Sequence, residues 1–468
     1  MSRLCVVGIG QPAFRPGRCH AGPGLRLTHF LTALARERHD VLALLVGSDD
    51  ARINDRPLRR TAEIEGASVV TLDIREDQLA DPGVRTTIEE FAPDALVGVS
   101  ALGAGLACRL RLEVPLWADI FGDLMAEAQA KALVHGNNLS LVHFWTVLAP
   151  VLVRADRFSA VSGAQADALI GQLGMTGRLT AENAGERLVR VIPCAAEAED
   201  ETGGETGDGA GPVADDLPQD AFVVLWSGSF NTWCDVETLA GGAELAMVRD
   251  PSIHFVVTGG AVPGHDERTY EKFSSLVRAS PASSRFHLRG WCDAEEAARW
   301  CRRADIGVVV ERDLYERRLG SENRVVHWMA HGLGCITTAR SELGRCLVAR
   351  ELALGCRPSD PRSLADAILT LANDRARAER IGRGCRAYAA RHFGFSTTAV
   401  PLLDWARSPV HAADHAAPRP LSVGLLSEPR AMVHLLEGYL DGLRLDQVAY
   451  RSARWLLRRL RRSARGDG

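Results

Sequence analysis

One local pattern recurs along this chain. A short aliphatic or β-branched run gives way to a loop rich in glycine and charge, and then to a segment with apolar residues three and four apart. Such runs occur at Leu4–Val7, Val41–Val46, Ser68–Leu72, Ala95–Val99, Val114–Ala118, Arg157–Val161 and Leu188–Ile192. They begin again at Phe222–Trp226, Ile253–Thr258, Phe286–Leu288, Ile306–Val310 and Cys335–Thr338. Runs without polar alternation must be buried on both faces, which a parallel sheet between two helical layers provides. Between the two sets lies EAEDETGGETGDGAGPVADD, with almost nothing to bury, which reads as a flexible linker or insertion. The expected fold class is therefore α/β with two parallel-sheet domains, and 468 residues suit that number.

Charge and cysteine usage narrow the function classes. With 55 basic against 59 acidic residues, the chain offers no global polyanion surface, and no nucleic-acid partner is expected. Eleven cysteines occur without a CxxC pair or regular spacing, as in a reducing compartment, so neither a disulfide framework nor a metal cluster is expected. The apolar run in MSRLCVVGIGQ is too short for a secretory signal, and Leu141–Val153, interrupted by His143, Thr146 and Pro150, is too short to span a bilayer. A cytoplasmic location is expected.

The chain opens as strand, glycine-rich loop and helix, with Gly8, Gly10, Gly17, Gly22 and Gly24 preceding a helical segment that reaches Arg36. The third glycine of the dinucleotide fingerprint is missing, which argues against hydride transfer. Farther on, Asp119 and Asp123 fall at the carboxyl end of a strand, just before a helix. Either can orient or deprotonate a hydroxyl there. Alternatively, Asp123 only caps the helix that contains Glu127.

The most informative stretch is Ile306–Thr338. Its strand leads to a charged loop over Arg312–Gly320, and Ser321 is the expected N-cap of a helix from Asn323 to Ala330. Amides at a helix start, a glycine at Gly320 and the forked cation of Arg324 suit a phosphate or diphosphate. The carboxylate of Glu316 suits sugar hydroxyls instead. Phosphate and polyol together indicate a nucleotide-sugar.

This segment resembles the donor site of glycosyltransferases with the two-Rossmann-domain (GT-B) fold, especially the retaining family 4 enzymes. The resemblance implies that Glu316 binds the donor sugar and that Gly320, Ser321 and Asn323 hold the diphosphate. His327 stands where the family carries a ribose-binding acid. Gly228, Asn231 and Trp233 form the loop that often carries the family's basic pair, so Arg324 or Arg26 would supply the phosphate charge. Gly259 and Gly260 would admit the ligand, while Gly290 and Trp291 would meet the base, with Trp291 alternatively packed under the following helix. In the first domain, Gly22, Gly24 and Arg26 would face the cleft, or Arg26 would simply be solvated. The catalytic set implied is Glu316 with Asp119 or Asp123.

The corresponding division is a Rossmann-like acceptor domain over 1–194, a linker over 195–218, a donor domain over 219–405 and a crossover with tail over 406–468. The expected function is metal-independent transfer of a sugar from a nucleotide-sugar to a glycan or lipid-linked acceptor. The nucleotide-sugar is a substrate, and no separate cofactor is implied. A nucleotide-sugar epimerase of the same fold and a non-catalytic membrane-associated binding protein are the rivals. The helical basic tail has seven arginines from Arg451 to Arg465, interleaved with Trp455, Leu456, Leu457 and Leu460. It would lie on an anionic membrane surface or pack on the body.

Overall fold

The computed structural model describes residues 1–15, 22–197, 217–262 and 264–416. Most of the linker, including 198–216, and the basic tail from Arg451 to Arg465 lie outside the described residues.

Two sheets account for the alternating pattern. The first comprises β1 (Arg3–Ile9), β2 (Asp40–Val46), β3 (Leu58–Ile64), β4 (Ala67–Ile74), β5 (Ala95–Gly98), β6 (Leu116–Ile120), β7 (Arg157–Ala160) and β8 (Val189–Val191). Their order is β3-β4-β2-β1-β5-β6-β7-β8. The second comprises β9 (Phe222–Ser227), β10 (Ile253–Thr258), β11 (Phe286–Gly290), β12 (Ile306–Val309), β13 (Cys335–Thr337) and β14 (Ala353–Gly355), in the order β11-β10-β9-β12-β13-β14. In the first sheet β1 pairs in parallel with both β2 and β5, and in the second β9 pairs in parallel with both β10 and β12. These central strands are apolar on both faces because helices cover both. Leu4, Val6, Leu27 and Phe30 fill one layer of the first domain, and Cys5, Val7, Leu96 and Phe158 fill the other.

One strand escaped the sequence pattern. β3 pairs antiparallel with β4 at the sheet edge, and Arg59, Arg60 and Glu63 on it are exposed. Its sequence, LRRTAEI, lacks a buried run because an edge strand needs none, and its charges discourage further pairing.

The helix Phe395–Arg407, which spans the expected boundary at residue 405, packs on the first domain. Ala399, Leu402 and Leu403 join the core of Leu4 and Leu27, and the Trp405 ring lies 5.5 Å from Trp117. The residues after it also dock there. Asp414 accepts hydrogen bonds from Arg178 Nε at 2.6 Å and Nη2 at 3.2 Å, with both side chains buried.

Two local expectations in the Ile306–Thr338 stretch also change. Tyr315–Leu319, expected as loop, is a short helix, and the cap position of Asn323–Ala330 is Glu322 rather than Ser321. Among the described residues, no helix is long and apolar enough to cross a membrane.

Candidate functional site

The carboxyl ends of the central strands of both sheets border one cavity of about 790 Å³. Ile9 at the end of β1 and Ser100 after β5 line it from one domain; Gly228 after β9 and Glu311 after β12 line it from the other. These are the places where the strand order reverses, which is where open α/β sheets bind ligands. The volume is within the range of roughly 300–1,000 Å³ that suits small-molecule sites.

The floor of the second domain depends on glycine. Gly228 has φ +87° and Gly259 φ +134°, and a Cβ on Gly259 would lie 2.1 Å from Gly228 O. This contact lets Gly228 N donate to Thr258 O at 2.7 Å and Gly259 N to Gly290 O at 2.6 Å, binding three strand ends together. Gly228 lines the cavity, whereas Gly259, Gly260 and Gly290 lie outside its lining. The close packing of Gly259 on Gly228 sets the position of this wall.

Arg324 occupies the wall beside this floor. Its guanidinium lies 4.1 Å from the Trp226 ring centroid, and Nη2 donates to Ser229 O at 2.6 Å. Nη1 is buried without a hydrogen-bond partner. Burial lowers the guanidinium's pKa, but an arginine remains charged at neutral pH. Gly320, Ser321 and Asn323 line the same wall at the start of their helix, where the first amides have no intrahelical acceptor. Asn231 Nδ2 donates to Ser229 Oγ at 3.1 Å, and Trp233 stacks against Arg317, 4.6 Å from ring centroid to guanidinium.

Behind this wall is a group that the sequence did not disclose. Arg317 is buried among Glu311, Glu316 and Glu322; it donates to Glu311 Oε1 at 2.8 Å and to both oxygens of Glu316. One cation thus faces three buried carboxylates, so they cannot all stay ionised cheaply. Burial pushes the Glu316 carboxyl up to about 7, although Arg317 opposes the shift. Glu322 is also raised, first by burial and then by Glu311. A proton on Glu322 satisfies Glu322 Oε1 and Glu311 Oε2, which are otherwise buried without partners. Ser341 Oγ donates to Glu322 Oε2 at 2.8 Å. Glu316 does reach the cavity, but as a member of this cluster instead of as a free carboxylate.

On the first-domain side, Gly22 lines the cavity and starts the helix Gly22–Arg36. Gly24 packs against the backbone instead, since a Cβ there would lie 2.1 Å from Gln11 O. Arg26 and Asp119 do not present their charges to the cleft. They form a buried two-pronged pair at 2.7 and 3.1 Å, and Arg26 also donates to Ile192 O and Pro193 O. Asp119 further accepts from Ser159 Oγ at 2.7 Å and from Ser100 N at 3.2 Å, so each of its oxygens accepts two hydrogen bonds. Asp123 is a helix cap: Oδ1 accepts from Ala126 N at 2.8 Å and Oδ2 from Gln172 Nε2 at 2.9 Å. All three side chains are thus engaged in internal hydrogen bonds: Arg26 from the helix Gly22–Arg36, Asp119 from β6 and Asp123 from the cap that follows it.

Other polar groups take their place. Glu127, Lys131 and His135 line the cavity from the helix Leu124–His135, and Lys131 Nζ is 3.1 Å from His265 Nδ1 of the second domain. Burial, followed by Lys131, lowers the His265 pKa, so the ring stays neutral and can accept from Lys131. Trp291 lines the cavity and its Nε1 donates to Ala261 O at 2.9 Å. His327 also lines it, held neutral because burial pushes its pKa down to about 3.

Residues 221–374 match the family model described as Glycosyl transferases group 1. No curated protein matches the chain. Among solved structures, sucrose-phosphate synthase from Thermosynechococcus elongatus shares 18% identity at TM-score 0.64, over 87% of this chain and 98% of that one. Anabaena HepE in complex with UDP-glucose shares 16% identity at TM-score 0.59, over 87% and 100%. A trehalose-6-phosphate structure from E. coli, bound with UDP-2-fluoro glucose, shares 13% identity at TM-score 0.59, over 88% and 100%.

Proposed function

We infer that this chain, a glycosyltransferase of the two-Rossmann-domain type with a group 1 domain over 221–374, transfers a sugar from a UDP-sugar to a polar acceptor in the cleft. The observation that carries this reading is Arg324. Its buried, unpartnered Nη1 lies on the cavity wall beside the helix start at Gly320–Asn323. That arrangement suits a diphosphate, whose negative charge grows as the glycosidic bond breaks. The UDP-glucose bound to HepE makes UDP-glucose the first donor to try.

In this reading, Arg324 and the helix-start amides stabilise the leaving diphosphate, with no exchangeable divalent cation bridging it. Glu316 and the Arg317 behind it bound the donor-sugar end, while Trp291 and His327 flank the nucleoside. The acceptor, a glycan or a lipid-linked sugar, meets Glu127, Lys131 and His135 from the first domain. Retention of anomeric configuration is part of the same proposal.

The test is UDP release and product formation by the full chain with UDP-glucose and a panel of free and lipid-linked glycan acceptors, in the presence of a chelator. Acceptor-dependent release, with an α-linked product by NMR, is expected. Turnover of UDP-glucose to an isomeric UDP-sugar without acceptor, or binding of the donor without turnover across the panel, would overturn the transferase assignment.

A further inference from the structure

We propose that Cys301, His327 and His331 form a zinc site at the edge of the cleft. Cys301 comes from the helix Ala294–Arg303, and the two histidines come from the end of Asn323–Ala330 and its C-cap. One ligand atom from each lies within 4.8 Å of the other two. Zinc bonds of about 2.0–2.3 Å at tetrahedral angles separate ligand atoms by roughly 3.5 Å. Closing the set therefore asks the ligand atoms to approach one another by roughly 1 Å at most.

Several observations point to metal ligation over ordinary packing. His327 and His331 are four residues apart, a spacing that puts both imidazoles on one helical face for a shared ion. The His331 Nδ1–H donates to His327 O at 2.9 Å, an outer-shell contact of the kind that orients a ligating imidazole. The two rings lie 4.3 Å apart between centroids. Cys301 is buried and in no disulfide. On binding, the thiol proton passes to water, the thiolate forms the Zn–S bond, and no electron transfer is involved.

One thiolate and two imidazoles select zinc over magnesium or calcium, which prefer oxygen. Three protein ligands also leave a fourth tetrahedral position for an oxygen. Because His327 lines the cavity, an ion here fixes that ring in the wall and adds a positive charge beside it. This is a resident ion held by the protein and not a cation carried in with the diphosphate. Its binding does not depend on the transferase assignment. A second trio, Asp156, His411 and His415, lies away from the cavity, and its Asp156 accepts from Leu116 N, Ala412 N and Arg154.

The experiment is cobalt(II) titration of the chelator-treated full chain, followed by zinc displacement. About one equivalent of cobalt is expected, with tetrahedral d–d bands and a thiolate charge-transfer band, all removed by stoichiometric zinc. Cys301→Ser should abolish the charge-transfer band, and His331→Ala should weaken binding at least tenfold. No stoichiometric uptake, or bands and affinity unchanged in both variants, would overturn the site. If a variant does not fold, zinc absorption fine structure of the wild-type protein decides instead. A shell of one sulfur and two imidazoles supports the proposal, and an all-sulfur or all-oxygen shell refutes it.

Discussion

Glu316→Gln should remove much of the pH dependence that the buried carboxylate cluster imposes on stability. The folded Glu316 carboxyl titrates near 7, against an ordinary value of 4.5, because burial outweighs the attraction of an arginine shared with other acids. A raised carboxyl pKa means that the native state keeps a proton the unfolded chain has released. The favourable contribution is therefore complete below about pH 4.5, declines as pH rises, and is gone above about pH 7. The shift corresponds to about 3 kcal/mol over that window, and the 4% exposure of Glu316 leaves little solvent to screen it. Glutamine keeps the shape and an acceptor for Arg317 but has no proton to lose. Urea denaturation from pH 4.5 to 8, reading the transition in which the second sheet unfolds, should show the variant gaining about 3 kcal/mol on the wild type across this range. A gap that stays flat, or that narrows with rising pH, would refute the picture of one cation among three buried acids.

Three further substitutions test other parts of the account. Arg324→Ala should weaken UDP binding by about 10- to 100-fold in calorimetry, the equivalent of losing a charge-assisted hydrogen bond of ~1.5–3 kcal/mol. Arg324→Lys, lacking the fork and the stacking on Trp226, should recover only part of this loss. Asp119→Ala strands a buried guanidinium and should destabilise the first domain by about 3–5 kcal/mol in chemical denaturation; a change below ~1 kcal/mol would mean the pair is not buried as described. Asp123→Ala should cost about 1 kcal/mol as a lost helix cap while leaving kcat with saturating donor and acceptor unchanged; a large fall in kcat would restore a base role.

The parallel sheets were readable because burial on both faces writes itself into consecutive residues, as in Phe222–Trp226 and Ile253–Thr258. β3 was not, because an exposed antiparallel edge has no such mark. The helix Asn323–Ala330 was also legible end to end, whereas its cap was misplaced by one residue: Glu322 holds the cap position and its side chain is buried, with Ser341 Oγ donating to it. Side-chain roles were harder to read. Arg26 and Asp119 are 93 positions apart, and neither residue's surroundings in sequence disclose that each neutralises the other. Arg317 looked like one more charge in a polar loop, although it is the counter-ion of a buried acidic group. The Cys301–His327–His331 trio was hidden similarly, since only the i,i+4 histidine pair is local. The cleft itself was predictable from strand order, but which polar side chains remained available within it depended on internal pairing.

The docking of Phe395–Arg407 on the first domain means that the polypeptide passes between the domains twice. Where the described chain leaves the first domain it meets the returning segment: Ala196 N donates to Phe393 O at 2.9 Å, and Phe395 N donates to Glu197 Oε1 at 3.1 Å. These contacts tie the end of the first domain's chain to the segment that returns to it. The docking also makes the outgoing segment a component of the first domain. A fragment ending near residue 197 would expose the apolar surface that Ala399, Leu402 and Leu403 cover, so the first half of this chain should need its far end to be soluble.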